Sequence, residues 1–253
     1  MTTATNTPIR CHVRDRVAHI ELCRPDVLNA IDAATCIELT AIIDRLEAAA
    51  DVGVIIVSGA GQRAFSSGAD LKHMRTLEGA DLRRFIELTW RTFDRIACSP
   101  LPSIAALHGY VLGAGCELAL ACDLRIADAT TTIALPEMSL GSVPGSGAVQ
   151  RMPAAIGKAK AMELIMLGDK VDAAEAARLG LVNRAVAAGE AVRSAYEWAS
   201  RIAMLRPASV RYLKAALAAD DSRMLAPALH GLVSDICHRD PVYSVNTAAF
   251  GSN

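Results

Sequence analysis

Apolar and polar positions along this chain change rhythm in an ordered way. From residue 8 to 23, two short alternating bursts, IRCHVRD and VAHIELC, flank Asp15-Arg16, which predicts a β-hairpin ended by Arg24-Pro25. Asp32 then stands as an N-cap ahead of a helical spacing with Ile37, Ala41 and Leu46 on its apolar side, running to about Ala50. The run VGVIIVSGA is β-branched, continuous and bounded by glycine, as a buried strand requires. AFSSGADLKHM closes a strand and opens a helix, and an amphipathic helical stretch follows from about Asp81 to Cys98. SIAALHGYVLG reads as one further buried strand leading into a helix that carries Glu117, and LRIADA and TTIALPE read as two more strands.

Strands therefore alternate with helices in a strand, strand, helix rhythm, which places the chain in the α/β class. Beyond Gly147 the pattern turns helical in AVQRMPAAIG, AKAMELIML and DAAEAARLG. The last of these has Asp172 and Glu175 as a capping box and Gly180 as a C-terminal stop. LVNRAV is a short final strand, and three helices are expected between residues 190 and 240. The chain divides on this pattern into a core over residues 1–190 and a helical assembly region over residues 191–253.

At 253 residues and 52% hydrophobic content the chain can bury a large core. A net charge of -1 and 4% aromatic residues leave no electrostatic footprint or stacking platform for nucleic acid. No uncharged apolar run reaches the ~18 residues of a membrane span, and MTTATNTPIRCHVRD lacks a signal-peptide core, so a soluble cytoplasmic protein is expected. The seven cysteines form no C-x-x-C pair, and the six histidines do not cluster, which predicts core thiols and no metal. Dinucleotide, P-loop and nucleophile-elbow motifs are absent.

Candidate chemistry centres on residues 108 to 147. Glu117 sits in AGCELALAC with no polar helical face, so its carboxylate is predicted to be buried; a buried acid is paired, protonated or employed at a site. A Glu that reaches water at the helix end, or meets a distant Arg, is the competing reading. Gly113, Ala114 and Gly115 precede that helix, whose first N–H groups have no internal partner and can meet a developing oxyanion. In Phe65-Ser66-Ser67-Gly68-Ala69-Asp70 a second tight turn offers the Ala69 N–H. Two donors, at Ala69 and Ala114, would make an oxyanion hole, and with Glu117 and Glu137 they suggest chemistry next to an acyl carbonyl. Asp70 reads chiefly as a helix cap, and Ser66 and Ser67 as turn residues.

These motifs together resemble the crotonase superfamily, and within it enoyl-CoA hydratase, from about Ile9 to Val186 and more loosely beyond. The resemblance rests on R-P-x-x-x-N-A at Arg24 to Ala30, A-F-S-S-G-A-D-L-K at Ala64 to Lys72, and G-x-G-C-E at Gly113 to Glu117 with L-P-E ending twenty residues on. PGSGAVQR and GDKVDAAEAARLGLVNRAV complete it. It implies a superhelix of repeated β-β-α units, with Glu117 and Glu137 as the two acids and Ala69 and Ala114 as the oxyanion hole. The activity it implies is addition of water to a trans-2-enoyl-CoA, with isomerase or hydratase-lyase chemistry, or a non-enzymatic binding role, as rivals. No separate cofactor is implied, because coenzyme A is part of the substrate.

By the same resemblance Arg24, Arg63 and Lys72 fall where basic residues meet the nucleotide and phosphates. Ala64, Ser67, Gly68, Asp70, Leu71, Gly113 and Gly145 match other substrate-binding positions. For Arg24 and Arg63 an exposed surface charge is the competing reading. The segment from His73 to Trp90 is expected to wall the acyl pocket. A homotrimer, or a hexamer of two trimers, is implied. Two departures stand out: Ala114 replaces the commoner glycine, and DPVYSVNTAAFGSN lacks the Lys-Arg-rich tail with which family members often close a neighbour's CoA site, leaving that contribution open.

Overall fold

The computed structural model describes residues 7–218. The chain divides into two compact units, the first ending at Met204 and the second beginning at Leu205. In the first, β1 (Ile9–Arg14) and β2 (Val17–Leu22) pair antiparallel through a two-residue turn. Asp15 and Arg16 in that turn both have positive φ, 49° and 65°, the hand that matches the twist of a hairpin. Next comes α1 (Ala33–Ala48), capped as predicted: Asp32 Oδ1 accepts the Thr35 N–H at 2.8 Å. Its buried face runs through Cys36, Leu39, Ile42, Ile43 and Leu46, whereas Ile37, placed on the apolar side by the spacing, is 61% exposed.

The chain continues through β3 (Val54–Gly59), β4 (Ala64–Ser66), α2 (Leu71–Met74), α3 (Gly79–Ala97), β5 (Ser103–Leu107), β6 (Tyr110–Leu112), α4 (Ala114–Ala121), β7 (Leu124–Asp128) and β8 (Thr132–Ala134). It then forms α5 (Ala148–Ile156), α6 (Lys158–Leu167), β9 (Val171–Asp172), α7 (Ala173–Leu179), β10 (Arg184–Val186) and α8 (Ala191–Ala203). In the larger sheet the order is β1-β2-β3-β5-β7-β10, parallel from β2 onward; in the smaller it is β4-β6-β8-β9, parallel except for β9.

SIAALHGYVLG is thus not one strand. It breaks at His108-Gly109 and passes from the large sheet to the small one. Gly109 permits the crossing, because a Cβ there would lie 2.1 Å from the Arg63 carbonyl oxygen. An apolar run hides such a break, since both halves are buried and neither shows a polar face.

The main core fills the space between sheets and helices, with Phe65, Phe93, Ile20, Leu39 and Ile43 fully buried. A second cluster covers the other face of the large sheet: Val54, Ile56, Ile104 and Ile126 pack against Ala191, Ala195, Ala199 and Ala203 of α8. The small side chains at every fourth residue let this helix lie close to the strands. α8 therefore lies within the first unit, while the sequence pattern sets a boundary after residue 190.

Asp172 caps α7 by accepting the Glu175 N–H at 2.8 Å, but Glu175 turns its own carboxylate to Arg178 instead of completing a capping box. The described part of the second unit is α9 (Pro207–Ala218). The remaining helix expected up to residue 240, and the segment DPVYSVNTAAFGSN, lie outside the described residues.

Candidate active site

Because β4, β6 and β8 run side by side and parallel, the segments after them emerge along one edge. The carboxyl end of a parallel sheet is where α/β folds bind ligands. After β4 the chain turns through Ser67-Gly68-Ala69 into α2. After β6 it turns at Gly113 into α4, and after β8 into the 3₁₀ turn Pro136–Leu140 that carries Glu137.

The first two turns are held close. A Cβ on Gly68 would lie 3.3 Å from the Ala114 nitrogen, and one on Gly115 would fall 2.5 Å from the Ser66 carbonyl oxygen. Gly113 has φ +50° and ψ −123°, and a Cβ there would stand 2.8 Å from Glu137 Oε1, so glycine is required on both counts. Neither the Ala69 nor the Ala114 N–H has a hydrogen-bond partner among the described residues.

Glu117 is 2% exposed, as its apolar neighbours predict. Its Oε1 accepts main-chain N–H groups from Ser146 at 2.7 Å and Ala148 at 3.1 Å. Burial pushes its carboxyl above the ordinary glutamate range, and these two N–H groups and the Arg151 guanidinium act against that rise. Glu137 is half-buried, and its Oε2 is buried without a hydrogen-bond partner among the described residues. Burial raises its pKa to about 7; its own N–H pulls the other way, and the nearby Glu117 charge adds a lesser upward push. One carboxyl is anchored by two donors and the other is poised to hold a proton near neutrality.

Both acids line a cavity of about 310 Å³ together with Ser67, Gly68, Ala69, Leu71, Gly113, Ala114 and Gly145. Its apolar wall comes from Met74, Phe85 and Ile86, within the stretch expected to shape an acyl pocket, and from Leu140 and Val143. A larger cavity of about 550 Å³, beside the N-terminal end of α8, is lined by His19, Glu21, Ser58, His108 and Asp128 and by none of the candidate site residues.

The other candidates, Arg24, Arg63, Ala64, Asp70 and Lys72, do not line that cavity. Arg24 donates to the Ala30 carbonyl at 2.6 Å and pairs with Asp32 and Asp70, both at 3.1 Å, so its charge is engaged within the fold. Asp70 caps α2 by accepting the Lys72 and His73 N–H groups. Burial would raise its pKa, but the His73 N–H and the Arg24 guanidinium hold it below the ordinary aspartate value. Ala64 is buried in β4, while Arg63 and Lys72 are exposed.

Three residues escaped the sequence reading. Asn29, in the R-P-x-x-x-N-A motif, is buried at φ +55° and its amide donates to the Ala60 and Ala64 carbonyls, tying that loop to β4. Its place in the motif was the only signal. The N–H donors of Ser146 and Ala148 carry no signal, because main-chain groups are the same in every residue.

An α/β fold carrying one buried and one half-buried carboxyl, and two main-chain donors unpartnered among the described residues, on one cavity defines a class of protein suited to proton transfer beside an acyl carbonyl. The chain belongs to the enoyl-CoA hydratase/isomerase family, whose pattern matches residues 12–238. It is 43% identical over 202 residues to the "Probable enoyl-CoA hydratase echA8" of Mycobacterium tuberculosis, covering 80% of this chain and 77% of the relative. It is 34% identical to the crotonyl-CoA hydratase of Syntrophomonas wolfei, covering 94% and 86%. Among solved structures, the enoyl-CoA hydratase of Bacillus anthracis superposes with a TM-score of 0.91 at 31% identity, covering 96% of both chains. The predicted α/β crotonase fold agrees with these likenesses.

Proposed function

We propose that this protein is an enoyl-CoA hydratase that adds water syn across a trans-2-enoyl-CoA thioester to give 3-hydroxyacyl-CoA. The observation that carries the reading is the pairing of an anchored Glu117 with a Glu137 raised to about 7, on one cavity with the unpartnered N–H groups of Ala69 and Ala114. Glu117 takes a proton from water as its oxygen bonds to C3. The electron pair of the double bond moves onto the thioester oxygen, where the two N–H groups stabilise the enolate. Glu137 then gives its proton to C2, and the pair resets by moving one proton from Glu117 back to Glu137.

Glu117 Oε1 is committed to two N–H groups, which orients the carboxylate and leaves Oε2 to meet the water. Leu71, Met74, Phe85 and Ile86 would hold the acyl chain, and the exposed Arg63 and Lys72 would meet the CoA phosphates. Arg24, engaged by Asp32 and Asp70, would shape the loop beneath them. The sequence resemblance further supports a homotrimer or hexamer that needs no separate cofactor, and the free cysteines among the described residues suit a reducing, cytoplasmic setting.

The test follows the ultraviolet absorbance of crotonyl-CoA and longer trans-2-enoyl-CoAs with purified protein, and identifies the product by mass. Loss of absorbance with formation of 3-hydroxyacyl-CoA is expected, and Glu117→Gln should abolish it while CoA esters still bind. Full hydration by that variant would overturn the two-acid assignment. Double-bond migration in place of hydration would favour isomerase chemistry, which needs only the acid at Glu137.

A further inference from the structure

The backbone that holds Glu117 is itself held by one side chain. Ser146 donates its N–H to Glu117 Oε1 at 2.7 Å, and its carbonyl accepts from Arg151 Nη1 at 3.1 Å, so the same residue is gripped at both ends. Arg151 reaches from α5 to α3, where Nη2 pairs with Asp94 at 3.0 Å and the guanidinium lies over the Trp90 ring, 5.5 Å from its centroid. Its side chain is only 17% exposed. Gly147 has φ +117°, and a Cβ there would lie 1.8 Å from Arg151 Nη1, so the guanidinium occupies the space beside this backbone that any other residue would fill.

We propose that Arg151 is a positioning residue for the hydration reaction: it clamps the main chain at Ser146 and Gly147 to α3, and thereby fixes the two N–H groups that orient the Glu117 carboxylate. The planar fork suits the task, because separate nitrogens serve the Ser146 carbonyl and the Asp94 carboxylate. The helix that anchors it also supplies Phe85, Ile86 and Thr89 to the cavity. The clamp therefore ties the base to the wall against which the acyl chain lies. Displacement of a reacting group by about 1 Å can cost on the order of a hundredfold in rate.

This inference rests on Glu117 being the base, and its test separates the two. The charged or titratable groups that act with Glu117 are Arg151, Glu137 and Cys116. Of these only Arg151 favours the ionised carboxylate, so its removal lets Glu117 keep its proton to higher pH. Arg151→Met, of similar reach, is expected to lower kcat about tenfold or more with little change in KM, and to move the acidic limb of the kcat/KM profile to higher pH. Arg151→Lys keeps the charge and loses the fork, so kcat should fall with the acidic limb in place; this variant also carries the test if Arg151→Met does not fold.

A purely structural Arg151 would reduce the folded fraction and the melting temperature, while the surviving enzyme kept its kcat and its pH profile. That result would overturn the proposal, as would an unchanged kcat in both variants. Glu117→Gln is measured alongside. If it hydrates normally, the base assignment fails; if it is inactive while both Arg151 variants match the parent, only the clamp fails.

Discussion

Glu117 and Glu137 carry the same side chain, and their surroundings divide the labour. Glu117 is the more buried, yet two N–H groups and a nearby cation favour its charged form. Glu137 has only its own N–H and no cation acting on it, its Oε2 is without a partner among the described residues, and it holds its proton to about pH 7. As an acid it must be protonated, so kcat/KM for hydration should fall as pH rises through about 7, and a profile taken with crotonyl-CoA checks this. The same shift links to stability. The folded state binds this proton more tightly than the unfolded chain, so the contribution is complete below pH 4.5 and is lost as pH rises to about 7. Replacing the group by Glu137→Gln should remove a decline of about 2 kcal/mol across that window, allowing for screening by its partial exposure, as read by urea denaturation at a series of pH values.

At the level of elements, the site depends on short turns joining strands of one sheet to helices. Gly113→Ala would force a left-handed conformation on a side chain and drive its methyl into Glu137 Oε1, at 2.8 Å. Strain of about 1–3 kcal/mol falls on the catalytic turn, so hydration should drop at least tenfold while circular dichroism stays that of the parent. On the opposite face of the large sheet α8 packs through a fully buried Ala195 and Ala199. Ala199→Leu should overpack this layer and cost about 1–3 kcal/mol, seen as a lower denaturation midpoint, with kcat little changed in the folded enzyme. Helix starts were legible wherever one residue performs the capping: Asp32, Asp70 and Asp172 each accept the expected N–H groups. The break at Gly109 was not, because the Arg63 carbonyl that leaves room only for glycine there is distant in sequence and adjacent in space.

For the whole molecule, sedimentation equilibrium should give three or six times the chain mass if the proposed assembly holds, and the mass of one chain would dismiss it. Hydration should also survive a chelator, because the proposed steps use carboxyls and main-chain N–H groups alone; loss of activity on metal removal would count against them. What the amino-acid order determined by itself was local. Periodicity set the strand, strand, helix rhythm, capping residues set helix starts, and the apolar run around Glu117 predicted its burial. Which groups meet was decided by the tertiary structure. Parallel pairing of β4, β6 and β8 brings Ala69, Ala114 and Glu137 to one edge, although as many as 68 positions separate them. Arg24, which its motif offered only as a basic residue, is paired with Asp32 and Asp70 once α1 and α2 start beside it. Glu117 is oriented by main-chain N–H groups of Ser146 and Ala148, and Arg151, one turn into the helix that this segment opens, grips it and ties it to Asp94 of α3. Side-chain identity encodes propensity and burial, but a main-chain donor acquires its role only from where the fold directs it.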